Sequence, residues 1–324
     1  MMESQIITIP LKAAKKVYSF FNPENSAFGR NWKMFSSKEY SNQLIYSKLI
    51  SDSPCMIARF GAFELNCLVN YLGVSRSAQF KSYTQYIKSQ SPPWWWNKSI
   101  LQSMNTNAGF FPANVKMIEK FCELMLRDIK EVDVLGSWLK EESFLQKELT
   151  NIKRLVLEDI EPFFSVNPWT KALEGKKVLV VHPFAETIEN QYKKRDLLFD
   201  NHLLPDFELH TLKAVQSSAG SSTEFVDWFQ ALDHMKSKID SIDYDICIIG
   251  AGAYGFPLAA YVKQSGKKAV HLAGVTQLLF GIKGKRWENY IVWPYENLYN
   301  EHWVRPGDSE KPKNATLIEN ACYW

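Results

Sequence analysis

The 324-residue chain has no apolar run that approaches the roughly 18 residues of a membrane-crossing helix, so its sequence excludes a helical span. Its first residues lack the continuous apolar core and small-residue cleavage site of a secretory leader, and a cytoplasmic location is expected. Cys55, Cys67, Cys122, Cys247 and Cys322 form an odd, scattered set with no C-x-x-C pair. That argues against a disulfide framework and a cysteine metal site, and for reduced, buried thiols. The net charge is only +3 and no face or tail concentrates basic residues, so a nucleic-acid partner is not indicated. Neither an internal repeat nor a low-complexity tract is present.

What the chain does have is an ordinary globular balance, 46% hydrophobic and 23% charged, at a length for two domains or one large α/β domain. Aromatic residues make up 14%, with eleven tryptophans. Such rings suit sugars and bases but also fill cores. Residues 9–21, IPLKAAKKVYSFF, mix lysines and apolar residues at helical spacing. They read as an amphipathic helix packed on the body, with a peripheral membrane helix as the alternative.

From residue 36 the pattern predicts a helix over 36–50, a strand, turn and helix at MIARFGAFEL (56–65), and a loop at SPPWWWNKS. A strong amphipathic helix is expected from near Pro112, and short strands at EVDVLGSW and KRLVLEDIEPFF. From about residue 170 the rhythm is regular. The strand EGKKVLVVHPF precedes a helix from about Glu186 to Phe199, and the strand FELHTLKAV precedes a helix over 223–238. YDICIIGAGAYGFPLAAYVKQSG then supplies strand, glycine turn and helix, and KKAVHLAG a further strand. Strands alternating with helices of this length predict an α/β, mostly parallel, doubly wound sheet, with a more helical N-terminal half.

In such folds the strand ends facing helix starts hold ligands. IIGAGAYG sets Gly250, Gly252 and Gly255 in a G-x-G-x-x-G between strand and helix, where backbone amides and the neighbouring Tyr254 face a phosphate. NAD is disfavoured, because the next strand ends in His271 rather than in an acid for the ribose, and no second set of strands follows. Phosphate of another nucleotide and mere tight packing remain as readings of the loop. His182 and Glu186 stand at another strand end, with Arg195 beyond; His271 and Gln277 stand at a third, followed by Lys283 and Arg286 on a glycine-punctuated loop. Basic residues beside a phosphate site suit a diphosphate leaving group. Each has a plain structural alternative as a cap, core histidine or solvated face.

The segment ARFGAFE resembles the R-[FY]-G-D-G-E motif of the GT-D-type bacterial glycosyltransferases. The segments GFFP, GSW, VVHPF, QYKKR, IGAGAYGFPLAA and LLFGIKGKRW are similar to those of uncharacterised polysaccharide-cluster relatives of that fold, over roughly residues 30–324. The resemblance implies a Rossmann-like domain over 31–324 after an N-terminal helical extension, 1–30. Its parts are an N-terminal half (31–168), a Rossmann-like half (169–290) and an aromatic C-terminal segment (291–324). It also implies sugar transfer from a nucleotide-sugar donor to a glycan or lipid-linked acceptor in surface-polysaccharide assembly, at most touching the inner face of the membrane. In the family two carboxylates are associated with Mn²⁺ or Mg²⁺ and the donor diphosphate. Here Ala62 replaces the aspartate, leaving Glu64 as a single, poor metal ligand, with Lys283 and Arg286 able to replace the ion.

On this reading Arg59 pairs with phosphate or with Glu64, Gly61 lets the sugar approach, and Glu64 is the general base, while Trp95 and Trp96 offer an acceptor platform. The structural alternatives are a Glu64 helix cap and a packed tryptophan corner. Two other functions stay open: an NAD(P)-dependent sugar-modifying oxidoreductase, and a non-catalytic nucleotide-sugar-binding relative. The sequence does not fix the oligomeric state.

Overall fold

Stretches such as Val178–Val181 and Ile246–Ile249 are apolar at every position, which a strand tolerates only when both faces of its sheet are covered. The computed structural model describes residues 5–22, 36–221, 223–288 and 290–324. The expected boundary at residues 30 and 31 lies outside the described residues. Among the described residues seven strands form one sheet: β1 (Cys55–Arg59), β2 (Val134–Ser137), β3 (Lys153–Val156), β4 (Lys177–His182), β5 (Glu208–Lys213), β6 (Ile246–Ile249) and β7 (Lys268–His271). Every pairing is parallel and the order is β3-β2-β1-β7-β6-β4-β5. Ile57 of β1 stands opposite Val270 of β7, so one sheet takes strands from both halves of the chain.

Alternation along each strand sends neighbouring side chains to opposite layers. Met56, Ala58, Leu179, Val181, Cys247 and Ile249 pack with the helices Ala62–Ser75, Val115–Asp128, Trp228–Asp240 and Gly255–Gln264. Cys55, Ile57, Val178, Val180, Ile246 and Ile248 pack against the helices Lys38–Ile50 and Ala185–Tyr192 and the C-terminal segment. This is a Rossmann-like, doubly wound α/β fold. The connection leaving β4 covers one face, and that leaving β6 covers the other. With right-handed crossovers they diverge in opposite directions, which makes the gap between β4 and β6 a topological switch point.

Helix starts follow their caps. Ser37 accepts from the Tyr40 amide, and Asn114 from the Met117 amide at 3.0 Å, so the second helix begins at Val115 rather than near Pro112. The helix expected over 223–238 runs instead over Trp228–Asp240, because Asp227, not Thr223, caps it by accepting from the Gln230 amide at 2.9 Å. The helix expected over 186–199 is two, Ala185–Tyr192 and Arg195–Leu198, separated at Lys193–Lys194.

The fully buried Asn70 anchors the tryptophan loop to the helix Ala62–Ser75. Its amide donates to Trp95 O at 2.8 Å and Pro93 O at 3.2 Å, and its oxygen accepts from the Asn97 amide at 3.1 Å. Asn70→Ala strands these buried groups and is expected to cost about 2–4 kcal/mol in denaturant unfolding. A loss below about 0.5 kcal/mol, the level of an ordinary surface change, would refute this anchoring.

Candidate functional site

Because all strands are parallel, their carboxyl ends share one edge, and there β1, β4, β6 and β7 open onto a cavity of about 490 Å³. That is a size that holds a small ligand, in the range of roughly 300–1,000 Å³. Arg59, Gly61, Glu64, His182, Gly250, Gly252, Tyr254, His271, Gln277 and Arg286 all line it.

The glycine loop is shaped by space. A Cβ at Gly250 would lie 2.6 Å from both Ala273 O and His182 Cδ2, and one at Gly255 would lie 2.2 Å from His271 Cε1. Gly252 adopts φ +53°, which favours glycine, and faces open space apart from Ala108 O at 3.6 Å. Among the described residues the amides of Ala251 and Gly252 find no protein acceptor, and both residues line the cavity. Tyr254 stacks on Trp228 at 4.9 Å and shares a 2.9 Å hydrogen bond with Ser217.

Two buried histidines present opposite atoms. The Phe184 amide donates to His182 Nδ1 at 3.0 Å, which places the proton on Nε2. His271 Nδ1 donates to Ile249 O at 3.2 Å, which leaves Nε2 as an acceptor. Burial depresses both to about 3, so each is neutral at physiological pH. The pair offers one donor and one acceptor, suited to hydroxyl groups.

The turn at Gly61 has ordinary backbone angles, φ −76° and ψ 145°, so the glycine answers a need for room. A Cβ there would lie 2.0 Å from Glu64 Oε2, because the carboxylate folds back over this residue. Burial raises the Glu64 pKa, and Arg59 partly opposes that rise. Arg59 donates twice to Phe60 O, at 3.2 Å each, and lies 4.8 Å above the Trp138 ring. Among the described residues no carboxylate comes within ion-pair distance of it. Burial lowers its pKa, yet arginine keeps its charge. The cavity therefore holds a desolvated cation ready for an anion. Arg286, by contrast, is paired with Glu319. The buried Gln277 amide donates to Ile282 O, Lys283 O and Tyr323 O, tying the basic loop to the C-terminal segment.

No family model, no curated protein and no solved structure matches the chain.

Several expected ligand residues lie elsewhere. Glu186 is exposed, and it is Glu310 that accepts from the Glu186 and Thr187 amides, at 2.9 and 3.3 Å, filling that helix start with a carboxylate. Arg195 pairs with Asp206 at 2.9 Å, and the Lys283 ammonium sits 5.8 Å from the Tyr299 ring. Gly255 serves helix-strand packing against His271. Trp95 is buried with Leu11, Tyr86 and Trp94 in a separate cluster, and Trp96 packs near Tyr71 at 6.3 Å, so neither reaches the cavity as an acceptor platform. A divalent cation at Glu64 needs several oxygen donors. Among the described residues no three His, Cys, Asp or Glu side chains come together to hold one. Among the described residues the side chains alone build no such site, and no step is derived through an ion.

Trp138, Glu161, Tyr290, Tyr295 and Tyr323 also line the cavity, unforeseen from the sequence. The available signal was the run EDIE directly after β3, a strand end like the others. Glu161 accepts from the Tyr295 hydroxyl, with Lys38 facing it. Burial pushes its pKa up to about 7 against the attraction of Lys38. The folded protein therefore holds this proton where the unfolded chain, near the ordinary 4.5, releases it. The resulting stability is complete below about pH 4.5 and is lost as pH rises to about 7. Glu161→Gln keeps an acceptor for Tyr295 and removes the ionisation. Across that window the variant is expected to gain roughly 3 kcal/mol on the parent in unfolding free energy. Parallel pH profiles would show that Glu161 does not titrate in this way.

Proposed function

We propose that the chain is a glycosyltransferase that moves a sugar from a nucleotide-sugar donor to a glycan or lipid-linked acceptor in bacterial surface-polysaccharide assembly. One observation carries the reading: an unpaired cation and free loop amides share a single cavity with a carboxylate of raised pKa. Those are the two requirements of the reaction, charge stabilisation for a departing diphosphate and a base for an acceptor hydroxyl.

In this reading the Ala251 and Gly252 amides and Arg59 bind the diphosphate. His182 Nε2–H and His271 Nε2 contact hydroxyls of the donor, and the aromatic walls cover its flat groups. The acceptor oxygen forms a bond to the anomeric carbon while the bond from that carbon to the diphosphate oxygen breaks. The bonding pair leaves with the nucleoside diphosphate, and the hydroxyl proton passes to Glu64. A carboxylate whose pKa is raised toward the working pH is a better base than a solvated one. Gly61 gives it the room to stand there.

Glu64→Gln preserves shape and cannot take the proton. Release of nucleoside diphosphate from a panel of nucleotide sugars should fall by roughly 10²–10⁴, with donor binding nearly unchanged and a melting temperature no lower than the parent's, since burial already disfavours the Glu64 carboxylate. A stable variant that turns over at the parent rate would remove Glu64 from the reaction and leave it a helix-start residue.

A further inference from the structure

The helix Gln5–Phe21 has two apolar faces. The inner one packs Leu11 against Tyr86, Trp94 and Trp95, while Lys15 sits 4.6 Å above the Tyr86 ring and Lys12 donates to Asn97 Oδ1 at 3.3 Å. The outer one carries Ile6, Ile9, Val17, Phe20 and Phe21, with exposures from 59% at Val17 to 83% at Ile6. At helical spacing these five positions, with Pro10 and Ala13 between them, form one stripe about 120° wide. A run of large apolar side chains this exposed on one side of a packed helix marks a docking surface.

Charge identifies the occupant. Lys12 and Lys16 border the stripe along one edge, and the helix has no acidic residue at all. A second copy of this face would bring lysines and no carboxylates to meet them, whereas anionic lipid headgroups complement both the cations and the apolar stripe. The helix spans only 17 residues and is interrupted by three lysines, so it fits the plane of a bilayer surface and cannot cross one.

We infer that the helix Gln5–Phe21 docks the protein on an anionic membrane surface, with the Trp94–Trp95 corner as the pedestal that holds it. This places the tryptophan run in membrane attachment and does not depend on the reaction proposed for the cavity.

The test is co-sedimentation of the full-length protein with vesicles of phosphatidylcholine, alone or with about 30% phosphatidylglycerol. The protein is expected to bind the mixed vesicles, to bind pure phosphatidylcholine far less, and to be released by high salt. Phe20→Ser with Phe21→Ser should weaken binding at least about tenfold, and Lys16→Gln about fivefold. These side chains are exposed, so melting temperature and cavity ligand binding should not change. Absence of the parent protein from the phosphatidylglycerol pellet would overturn the inference. So would serine variants that bind as the parent does, or a parent dimer that the serine pair converts to monomer in light scattering.

Discussion

The ends of β4, β6 and β7 meet only because position 250 carries no side chain. A single added carbon there would press on the backbone of Ala273 and on the His182 ring, both at 2.6 Å. The same economy recurs where Gly255 lies against His271 and where Gly61 lies under the Glu64 carboxylate. Each glycine admits a polar side chain into the close-packed edge of an otherwise apolar sheet. The cavity is thus a product of packing, and its polar groups are set by the strands that enclose it.

Those groups are tuned mainly by burial. Both histidines are kept neutral, and their tautomers are fixed by one backbone partner each, the Phe184 amide and the Ile249 carbonyl. Glu64 and Glu161 are held above the ordinary carboxylate range. Arg59 keeps its charge against desolvation with a carbonyl and an indole ring as its direct contacts and, among the described residues, no carboxylate at ion-pair distance. Leaving that one cation unpaired costs stability and gives affinity for an anion. The start of the helix Ala185–Tyr192, a rival anion site, is closed by Glu310, and this leaves the loop after β6 as the open one.

The strands were legible because a doubly covered strand has to be apolar throughout, as in β4 and β6. The residues at their ends were legible for the same reason, since parallel strands deliver them to one edge. Helix starts were less so: Thr223 and Asp227 both look like caps, and only packing chooses between them. Arg195 and Lys283 looked like phosphate ligands because Asp206 and Tyr299, which occupy them, are distant or unremarkable in sequence. Glu161 and Tyr323 escaped notice because their position depends on β3 joining the sheet edge and on the C-terminal segment folding back, neither of which local pattern records. The three tryptophans give the same signal as a sugar platform or as a packed corner, and only their packing, Trp94 and Trp95 under the first helix and Trp96 near Tyr71, separates the two.

The cavity at the β4–β6 switch point is proposed to take a nucleoside diphosphate sugar. Thermal unfolding of the intact protein against a panel of nucleotide sugars, free nucleotides and NAD(P)H tests this most directly. At a hundredfold excess over its dissociation constant a true ligand stabilises the fold by about 2.7 kcal/mol. At least one nucleotide sugar is expected to reach this level, its free nucleoside diphosphate to stabilise in part, and NAD(P)H to do nothing. Stabilisation by NAD(P)H with no response to any nucleotide sugar would contradict the proposal.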